Sequence, residues 1–244
     1  MPELPSSAAP GVSLIARERR TPWRAAASRL LRLYYRVSGK NRYDAHRLEH
    51  VQGMPILVLP SVANPKLLRT GAFLAEQLDG TLIRSNTRVL DLGTGSGICA
   101  LFAARHSRHV VAVDINAAAV RCARANALMN ALDDRIDIRH GDLFDPVAGE
   151  QFDLILFNPP FLLGAPHTPR EAAWRSSNVA PRFAAQLGER LAAGGCALLL
   201  LSSFGDACAQ FESGLRARGF VLEVFATRRF VNESLTLLRV RRPL

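Results

Sequence analysis

The chain has 244 residues, 48% of them hydrophobic, which is enough apolar material for one well-formed core with a small appendage. The longest apolar run is far shorter than the ~20 residues that a bilayer-spanning helix needs, so the sequence predicts neither a membrane span nor a signal peptide. The four cysteines lack C-x-x-C spacing, which predicts no metal site and favours reduced thiols in a cytoplasmic protein.

The formal net charge of +10 is the one feature of the composition that suggests an acidic partner. Residues 1–50 contain ten Arg or Lys and four acids, so this segment contributes +6 of the total. Arginine outnumbers lysine 29 to 2, however, and GC-rich coding would produce that bias without any functional demand. The charge therefore leaves open both a surface for RNA or an acidic protein and simple compositional drift.

The first part of the chain differs in composition from the rest. Residues 1–20 are rich in Pro, Ser and Ala and end in a charge cluster, which predicts a tail that is disordered or loosely attached. Thr21 and Pro22 are typical of a helix start, and apolar residues at helical spacing follow. We expect residues 21–53 to form a helical extension, which either docks on the main domain or grips a substrate, and residues 54–244 to form the main domain.

From residue 54 onward, segments typical of strands alternate with segments typical of helices. A short strand is predicted at residues 55–59, followed by a helix that Asn64 and Pro65 begin and Gly80 ends. Further strands are predicted at 87–91, 109–113, 135–139, 152–157 and 196–202, and helices at 97–106, 116–130, 179–193 and 206–218. Alternation with short turns predicts an α/β fold with a mostly parallel sheet covered on both faces.

The C-terminal end departs from this alternation. Residues 220–226 and 234–240 are two strand-like runs, and the seven residues between them are too few for a crossover helix. The two runs should therefore pair antiparallel. Ordinary dinucleotide-binding sheets lack such a reversed last strand.

A glycine-rich turn follows the first predicted strand of the sheet. The segment 91–97 has the sequence D-L-G-T-G-S-G, in which glycine permits positive φ and a close approach of the backbone to a ligand. Nicotinamide enzymes have a similar turn, but their fingerprint needs a small residue where this chain has Ile98. The spacing resembles the S-adenosylmethionine motif of class I methyltransferases. That resemblance implies that the turn cradles the amino acid part of the cofactor, with Asp91 near its ammonium group, through Asp91, Gly93, Thr94, Gly95 and Gly97.

Acidic residues also end the next two predicted strands. Asp114 ends the second strand and is followed by Ile115, and its carboxylate can accept both hydroxyls of a ribose. Asp142 and Leu143 follow the third strand, where methyltransferases of this class use an acid for the adenine amino group and the next backbone amide for the ring. Acids at three successive strand ends lie at the edge where such sheets bind ligands. We therefore predict S-adenosyl-L-methionine as the cofactor, bound in part by Ile115 and Leu143.

The segment Asn158-Pro159-Pro160-Phe161 follows the fourth predicted strand. Two prolines fix φ and remove two amide donors, so the loop is stiff and its carbonyl acceptors stay free. The segment resembles the N-P-P-[YFW] motif of N-methyltransferases such as the HemK group, which includes the release-factor glutamine methyltransferases. The resemblance implies that the Asn158 side-chain oxygen and the Pro159 carbonyl accept the two N–H groups of a planar nitrogen, while Phe161 stacks on the flat acceptor. Asn158 is also expected to contact the cofactor.

The resemblance covers about residues 55–244 and implies a class I methyltransferase fold, Rossmann-like and mostly parallel with an antiparallel last strand. The favoured acceptor is an amide nitrogen such as a protein glutamine, and RNA base amines or a small metabolite are the alternatives. Two other readings are a nicotinamide oxidoreductase, which Ile98 disfavours, and a cofactor-binding scaffold without turnover, which the intact 158–161 motif disfavours. Residues 162–178 form a long loop that either grips the substrate or covers the site. No oligomeric state is predicted.

Overall fold

The computed structural model describes residues 13–14, 45–165, 174–231 and 233–243 of the chain. The first elements are a hairpin of β1 (Arg47–Val51) and β2 (Met54–Val58) and two short helices, α1 (Pro65–Leu68) and α2 (Thr70–Ala75). The later strands are β3 (Arg88–Leu92), β4 (His109–Asp114), β5 (Ile136–His140), β6 (Phe152–Phe157), β7 (Leu162–Leu163), β8 (Arg175–Ser176), β9 (Leu191–Ser202), β10 (Val221–Arg229) and β11 (Ser234–Arg241). The later helices are α3 (Ile98–Ala104), α4 (Ala117–Met129), α5 (Val179–Arg190) and α6 (Cys208–Arg216).

Seven of these strands form one sheet in the order β10-β11-β9-β6-β3-β4-β5. The five strands from β9 to β5 are parallel, and β11 runs antiparallel to both of its neighbours. The predicted architecture is therefore confirmed, including the reversed last strand. Parallel neighbours bring the carboxyl ends of β6, β3, β4 and β5 to one edge of the sheet, and this is the edge where the predicted site residues lie.

Helices cover both faces of the sheet, since the central strands are apolar on both sides. One buried cluster joins the sheet to α2, α3, α4 and the hairpin. The other joins it to α5 and α6 and contains four packed phenylalanines: Phe144, Phe157, Phe183 and Phe211. In the described part of the chain, no helix combines the length and the hydropathy needed to cross a membrane.

The predicted helix after Asn64 is divided in two. The start is as predicted, because the Asn64 side-chain oxygen accepts hydrogen bonds from the backbone N–H groups of Lys66 (2.9 Å) and Leu67 (3.1 Å). Arg69 then takes a left-handed conformation with φ 61°, which ends α1 and begins α2. Farther along the chain, the helix predicted over 179–193 ends at Arg190, because Leu191 already pairs with Phe152 as the first residue of β9.

Residues 45–53 are the part of the predicted helical extension (21–53) that the structure describes, and they do not form a helix. Residues 47–51 are a strand that pairs antiparallel with β2, so the predicted boundary at residue 53 falls inside a hairpin. The physical reason is the turn: Gln52 and Gly53 both have positive φ, the conformation of a two-residue hairpin turn. The helix predicted to begin at Thr21 lies outside the described residues.

The predicted tail, residues 1–20, is described only at Ser13 and Leu14. The Ser13 hydroxyl and the Leu14 backbone N–H donate to the two carboxylate oxygens of Glu212 on α6, at 2.8 and 2.9 Å. These two residues are bonded to the domain, whereas the sequence predicts that the tail is disordered or loosely attached.

Asn126 on α4 attaches the hairpin to the domain. Its side-chain oxygen accepts from the Leu57 backbone N–H (2.7 Å), and its amide nitrogen donates to the carbonyls of Leu57 (2.7 Å) and Ser96 (2.8 Å). The side chain is fully buried, and these three bonds use both N–H groups and the oxygen. One asparagine thus joins β2, α4 and the glycine-rich turn.

Candidate active site

The glycine-rich turn connects β3 to α3. Gly93, Gly95 and Gly97 all have positive φ, at 64°, 57° and 84°. A Cβ on Gly97 would also lie 3.1 Å from the Cα of Ala123 on α4, so a side chain at this position would be strained and crowded. The Thr94 backbone N–H donates to the Val113 carbonyl (3.0 Å), which ties the turn to β4.

The buried Asp91 side chain stabilises the turn by hydrogen bonds. Its side chain is 3% exposed and accepts hydrogen bonds from the Thr94 hydroxyl (2.6 Å) and the Ala100 backbone N–H (3.1 Å). Burial raises the pKa of Asp91 to about 7, although these two hydrogen bonds lower it. The contacts of Asp91 and Thr94 are structural, and contact of either residue with the cofactor stays a prediction.

The raised pKa of Asp91 predicts a pH-dependent stability. Between pH 3.8 and about 7 the folded state holds this proton more tightly than the unfolded chain, so the free energy of unfolding falls as pH rises through that window. We expect the fall to be shallower in Asp91→Asn, which keeps an acceptor oxygen and has no charge to bury. Urea unfolding from pH 5 to pH 8 measures the slope. Asp114, whose pKa is also raised by burial, is present in both proteins. Equal slopes in the two proteins would contradict the assignment to Asp91.

Asp114 lies at the end of β4, beside the glycine-rich turn. One carboxylate oxygen accepts from the Gly95 backbone N–H and the other from the Asn116 backbone N–H, both at 2.8 Å. These bonds fix the carboxylate at the edge of the sheet, and each oxygen retains capacity for a further donor. Ile115, the next residue, has an exposed side chain, at 56%.

Asp142 lies at the end of β5 and contacts a residue that the sequence analysis missed. Arg182 on α5 donates from Nη1 to Asp142 Oδ2 at 2.6 Å, and both side chains are about one-third exposed. Leu143, which follows, has φ 45° and packs into the α5 side of the core. No sequence pattern near residue 182 indicates this pair, since the two residues are 40 positions apart.

Asn158 and Pro159 lie at the end of β6, next to β3 and its glycine-rich turn. The Asn158 amide nitrogen donates to the Thr70 hydroxyl oxygen at 3.1 Å, a second partner that the sequence analysis missed. Among the described residues, no donor is bonded to the Asn158 side-chain oxygen or the Pro159 carbonyl. The two acceptors that the motif implies are therefore available at this edge of the sheet.

Phe161 is held by the loop that follows β9. Its carbonyl accepts from the backbone N–H groups of Asp206 (3.1 Å) and Ala207 (3.2 Å), and its ring lies edge-to-face with Phe204 at 6.3 Å. Phe161 is partly buried, and stacking of its ring on an acceptor stays a prediction. Gly205 lies directly against the Phe161 backbone.

The loop after the motif is closed at its base by the short parallel pair β7 and β8. The Arg175 guanidinium donates to the Leu163 carbonyl (2.7 Å), and the Leu163 backbone N–H donates to the Asp206 carboxylate (2.6 Å). Residues 166–173 lie outside the described residues, so the proposed grip of this loop on a substrate stays a prediction.

The close contact of Gly205 with Phe161 predicts a specific sensitivity to substitution. A Cβ at Gly205 would lie 2.8 Å from the Phe161 Cβ and still closer to its carbonyl oxygen, so Gly205→Ala must displace Phe161. We expect about a tenfold loss of methyl transfer, because a misplaced stacking group weakens positioning, and a lower melting temperature, because the clash is with backbone atoms. Gly214→Ala on α6 is the matched control, since its Cβ would make an ordinary 3.5 Å contact with Ala184. Equal activity of the two variants would contradict a positioning role for this contact.

The structure brings the predicted site residues to one edge of the sheet. The ends of β6, β3, β4 and β5 are neighbours, so the 158–161 motif, the glycine-rich turn, Asp114 and Asp142 follow one another along that edge. The described residues contain no group of three or more His, Cys, Asp or Glu side chains able to hold a metal ion.

Comparison with known proteins agrees with this arrangement. The family described as "Methyltransferase small domain" matches residues 61–215. A ribosomal protein uL3 glutamine methyltransferase of Bradyrhizobium diazoefficiens is 37% identical over 127 residues, which cover 46% of this chain and 38% of that protein. A tRNA1(Val) (adenine(37)-N6)-methyltransferase of Porphyromonas gingivalis is 37% identical over 106 residues, which cover 41% of this chain and 40% of that protein.

Solved structures show the same fold. The 16S rRNA N2 G1207 methyltransferase of T. thermophilus, determined with AdoMet and guanosine, superposes with a TM-score of 0.57 at 24% identity, over 82% of this chain and 50% of that one. The matched segments span less than half the length of the two curated relatives. The family match covers more than half of this chain, and the sheet order is that of a class I methyltransferase. The chain therefore belongs to the methyltransferase small domain family.

Proposed function

We propose that this protein transfers a methyl group from S-adenosyl-L-methionine to a planar nitrogen. The observation that carries the proposal is a pair of acceptors next to the glycine-rich turn, the Asn158 side-chain oxygen and the Pro159 carbonyl, to which no donor among the described residues is bonded. An acceptor pair of this kind suits a nitrogen that carries two N–H groups. The names of the relatives support the proposal, because they include a glutamine and an adenine-N6 methyltransferase.

The residues at the sheet edge fit the proposed cofactor. Asp114 presents a fixed carboxylate for the two ribose hydroxyls, and the exposed Ile115 side chain offers an apolar surface for the adenine ring. In the described part of the chain, the buried Ser96 hydroxyl has no hydrogen-bond partner, so the turn retains one polar atom for a ligand. When bound, S-adenosylmethionine supplies an activated methyl group on a sulfonium ion.

The residues of the 158–161 motif can activate an amide or arylamine nitrogen, which is a weak nucleophile. The nitrogen's lone pair is delocalised, and two acceptors that bind its N–H groups draw it toward tetrahedral geometry. The stiff backbone at Pro159 holds one acceptor in place, and Phe161 supports the flat group by stacking. Catalysis then rests on positioning and electrostatics, without a strong base, because the methylated nitrogen is cationic and loses its proton readily.

The acceptor that we favour is an amide nitrogen such as a protein glutamine. An RNA base amine is the second candidate, supported by the adenine-N6 relative at the same 37% identity and by the +6 charge of residues 1–50. A small metabolite is the third candidate. We propose a cytoplasmic location for the protein, and we propose no oligomeric state.

One labelling experiment tests the reaction and distinguishes the three candidate classes of acceptor. The protein is incubated with S-adenosyl-L-[methyl-³H]methionine and a lysate, which is then divided into protein, RNA and small-molecule fractions. We expect label in the protein fraction, recovered after enzymatic proteolysis as a methylated amide side chain and released by acid hydrolysis as labelled methylamine. Label in RNA that falls steeply with salt concentration would favour the base-amine alternative. Label on oxygen or carbon in every fraction would contradict the proposed nitrogen chemistry.

A further inference from the structure

Asp142 lies beside Asp114 along the edge of the sheet that holds the candidate site. Asp114 pairs in parallel register with His140 of β5, so Asp142 comes two residues beyond the level of Asp114 on the neighbouring strand. In the proposed binding mode, the glycine-rich turn on the β3 side of Asp114 takes the amino acid part of S-adenosylmethionine, and Asp114 takes the ribose. The adenine ring, at the opposite end of the ribose, therefore extends toward β5 and Asp142.

We propose that Arg182 is a positioning residue for the adenine ring, because it fixes the Asp142 carboxylate. Arg182 donates from Nη1 to Asp142 Oδ2 at 2.6 Å, and the direction of this bond is unambiguous because a guanidinium can only donate. No donor among the described residues is bonded to Oδ1, which is left to accept from the adenine amino group. The two carboxylate oxygens are equivalent, so a rotation by 180° restores the same arrangement. This inference rests on the proposed cofactor site.

A second contact, next to the ion pair, holds both of its partners in place. Phe183 follows Arg182 in the chain and is fully buried. Its ring stacks on the Phe144 ring, with centroids 5.7 Å apart and planes at 20°, and Phe144 is two residues after Asp142. The segment after β5 and the first half of α5 therefore meet at two adjacent points, one charged and one apolar. This fixed backbone reduces the entropy that a partly exposed ion pair otherwise loses when it forms.

A fixed carboxylate beside the ring can distinguish adenine from a purine with oxygen at position 6. The amino group of adenine donates to Oδ1, whereas the oxygen of hypoxanthine would place a second acceptor against it. An acceptor that faces another acceptor in a partly buried site costs binding free energy. A carboxylate held by Arg182 cannot turn away from that oxygen. Arg182 therefore strengthens the binding of adenine and also determines part of the specificity for it.

The experiment measures binding of two ligands by calorimetry. One is S-adenosylhomocysteine, the demethylated product of the cofactor, and the other is S-inosylhomocysteine, which has hypoxanthine in place of adenine. Arg182→Met removes the guanidinium and keeps a long side chain with good helix propensity. We expect this variant to bind S-adenosylhomocysteine about fivefold more weakly, which is the upper end of what a partly exposed ion pair contributes. Its affinity for S-inosylhomocysteine should stay within about twofold of that of the unmodified protein, so the preference for adenine falls.

Two further variants make this result specific to the ion pair. Arg182→Lys keeps a positively charged donor and should recover part of the preference for adenine. Arg216→Met is the matched control, since Arg216 lies in the last turn of α6, and β10, the next strand, begins at the opposite edge of the sheet. An unchanged preference for adenine in Arg182→Met would overturn the proposal. Equal weakening of both ligands would show that Arg182 only supports the fold of α5, and would overturn it too.

A double-mutant cycle tests whether Arg182 acts through Asp142. In the Asp142→Ala background the guanidinium has no carboxylate to position, so Arg182→Met should have little further effect on the binding of S-adenosylhomocysteine. A fivefold weakening in that background as well would show that Arg182 acts independently of Asp142 and would overturn the proposal.

These measurements need no methyl acceptor, so this inference can fail separately from the proposed function. A lost preference for adenine in Arg182→Met, together with methylation at oxygen or carbon, would contradict the proposed nitrogen chemistry and leave the role of Arg182 established. An unchanged preference together with methylation at nitrogen would give the reverse result. If the unmodified protein bound neither ligand, the cofactor site and the role of Arg182 would both be overturned.

Discussion

Replacing Asn158 by alanine should lower the rate of methyl transfer by on the order of 100-fold or more and leave the affinity for S-adenosylmethionine nearly unchanged. The expected loss is in turnover because the Asn158 side-chain oxygen binds the acceptor nitrogen most strongly as its geometry changes during the reaction. The Pro159 carbonyl remains, so the acceptor still binds through one of its two N–H groups.

The measurement pairs tritium transfer with calorimetric titration of the cofactor. Asn86→Ala is the matched control, since Asn86 is an exposed asparagine in the loop before β3, outside the candidate site. Near-full activity of Asn158→Ala on the true acceptor would show that the proposed activation of the nitrogen is wrong. An accompanying loss of cofactor affinity would instead show that Asn158 contributes to cofactor binding.

Replacing Asp114 by alanine should have its main effect on the cofactor. We expect binding of S-adenosylmethionine to weaken by roughly 2–3 kcal/mol, because the carboxylate would make charge-assisted bonds to the two ribose hydroxyls. The variant also leaves the Gly95 and Asn116 backbone N–H groups without the acceptor that they have in the structure, so a lower melting temperature should accompany the lost affinity.

Calorimetry with S-adenosylmethionine and with its demethylated product measures the first effect, and thermal unfolding measures the second. Asp134→Ala is the control, because the Asp134 side chain is exposed and pairs only loosely with Arg135, at 3.8 Å. Binding of NADH in place of S-adenosylmethionine by the unmodified protein would overturn the cofactor assignment.

The sequence predicts the central sheet well, because each parallel strand is a short apolar run that ends at a recognisable turn. Asp91, Asp114 and Asn158 lie at the strand ends, so the edge of the sheet where the candidate site lies could also be predicted from the sequence. The reversed last strand was predictable from connection length alone, since seven residues cannot form a crossover. These features depend on local pattern.

What the sequence did not show depends on contacts between distant residues. Thr70 lies 88 positions from Asn158, and no spacing rule links a threonine on one helix to a motif at a strand end. The strand at residues 47–51 follows from pairing across a two-residue turn, whereas its own residues do not distinguish it from the preceding segment. Arg69 has a left-handed backbone within a helical pattern and contacts the Phe230 ring through its guanidinium, and the pattern indicates neither feature.

The three hydrogen bonds of Asn126 imply a thermodynamic linkage between two parts of the molecule that are far apart in sequence. The same side chain holds Leu57 of the hairpin and the Ser96 carbonyl of the glycine-rich turn. A ligand that orders the turn therefore stabilises the attachment of the hairpin to the domain. By reciprocity, detachment of the hairpin weakens binding of the ligand by the same free energy. The amide hydrogen of Leu57 becomes a reporter of the cofactor site, since its exchange with solvent should slow when the turn is occupied.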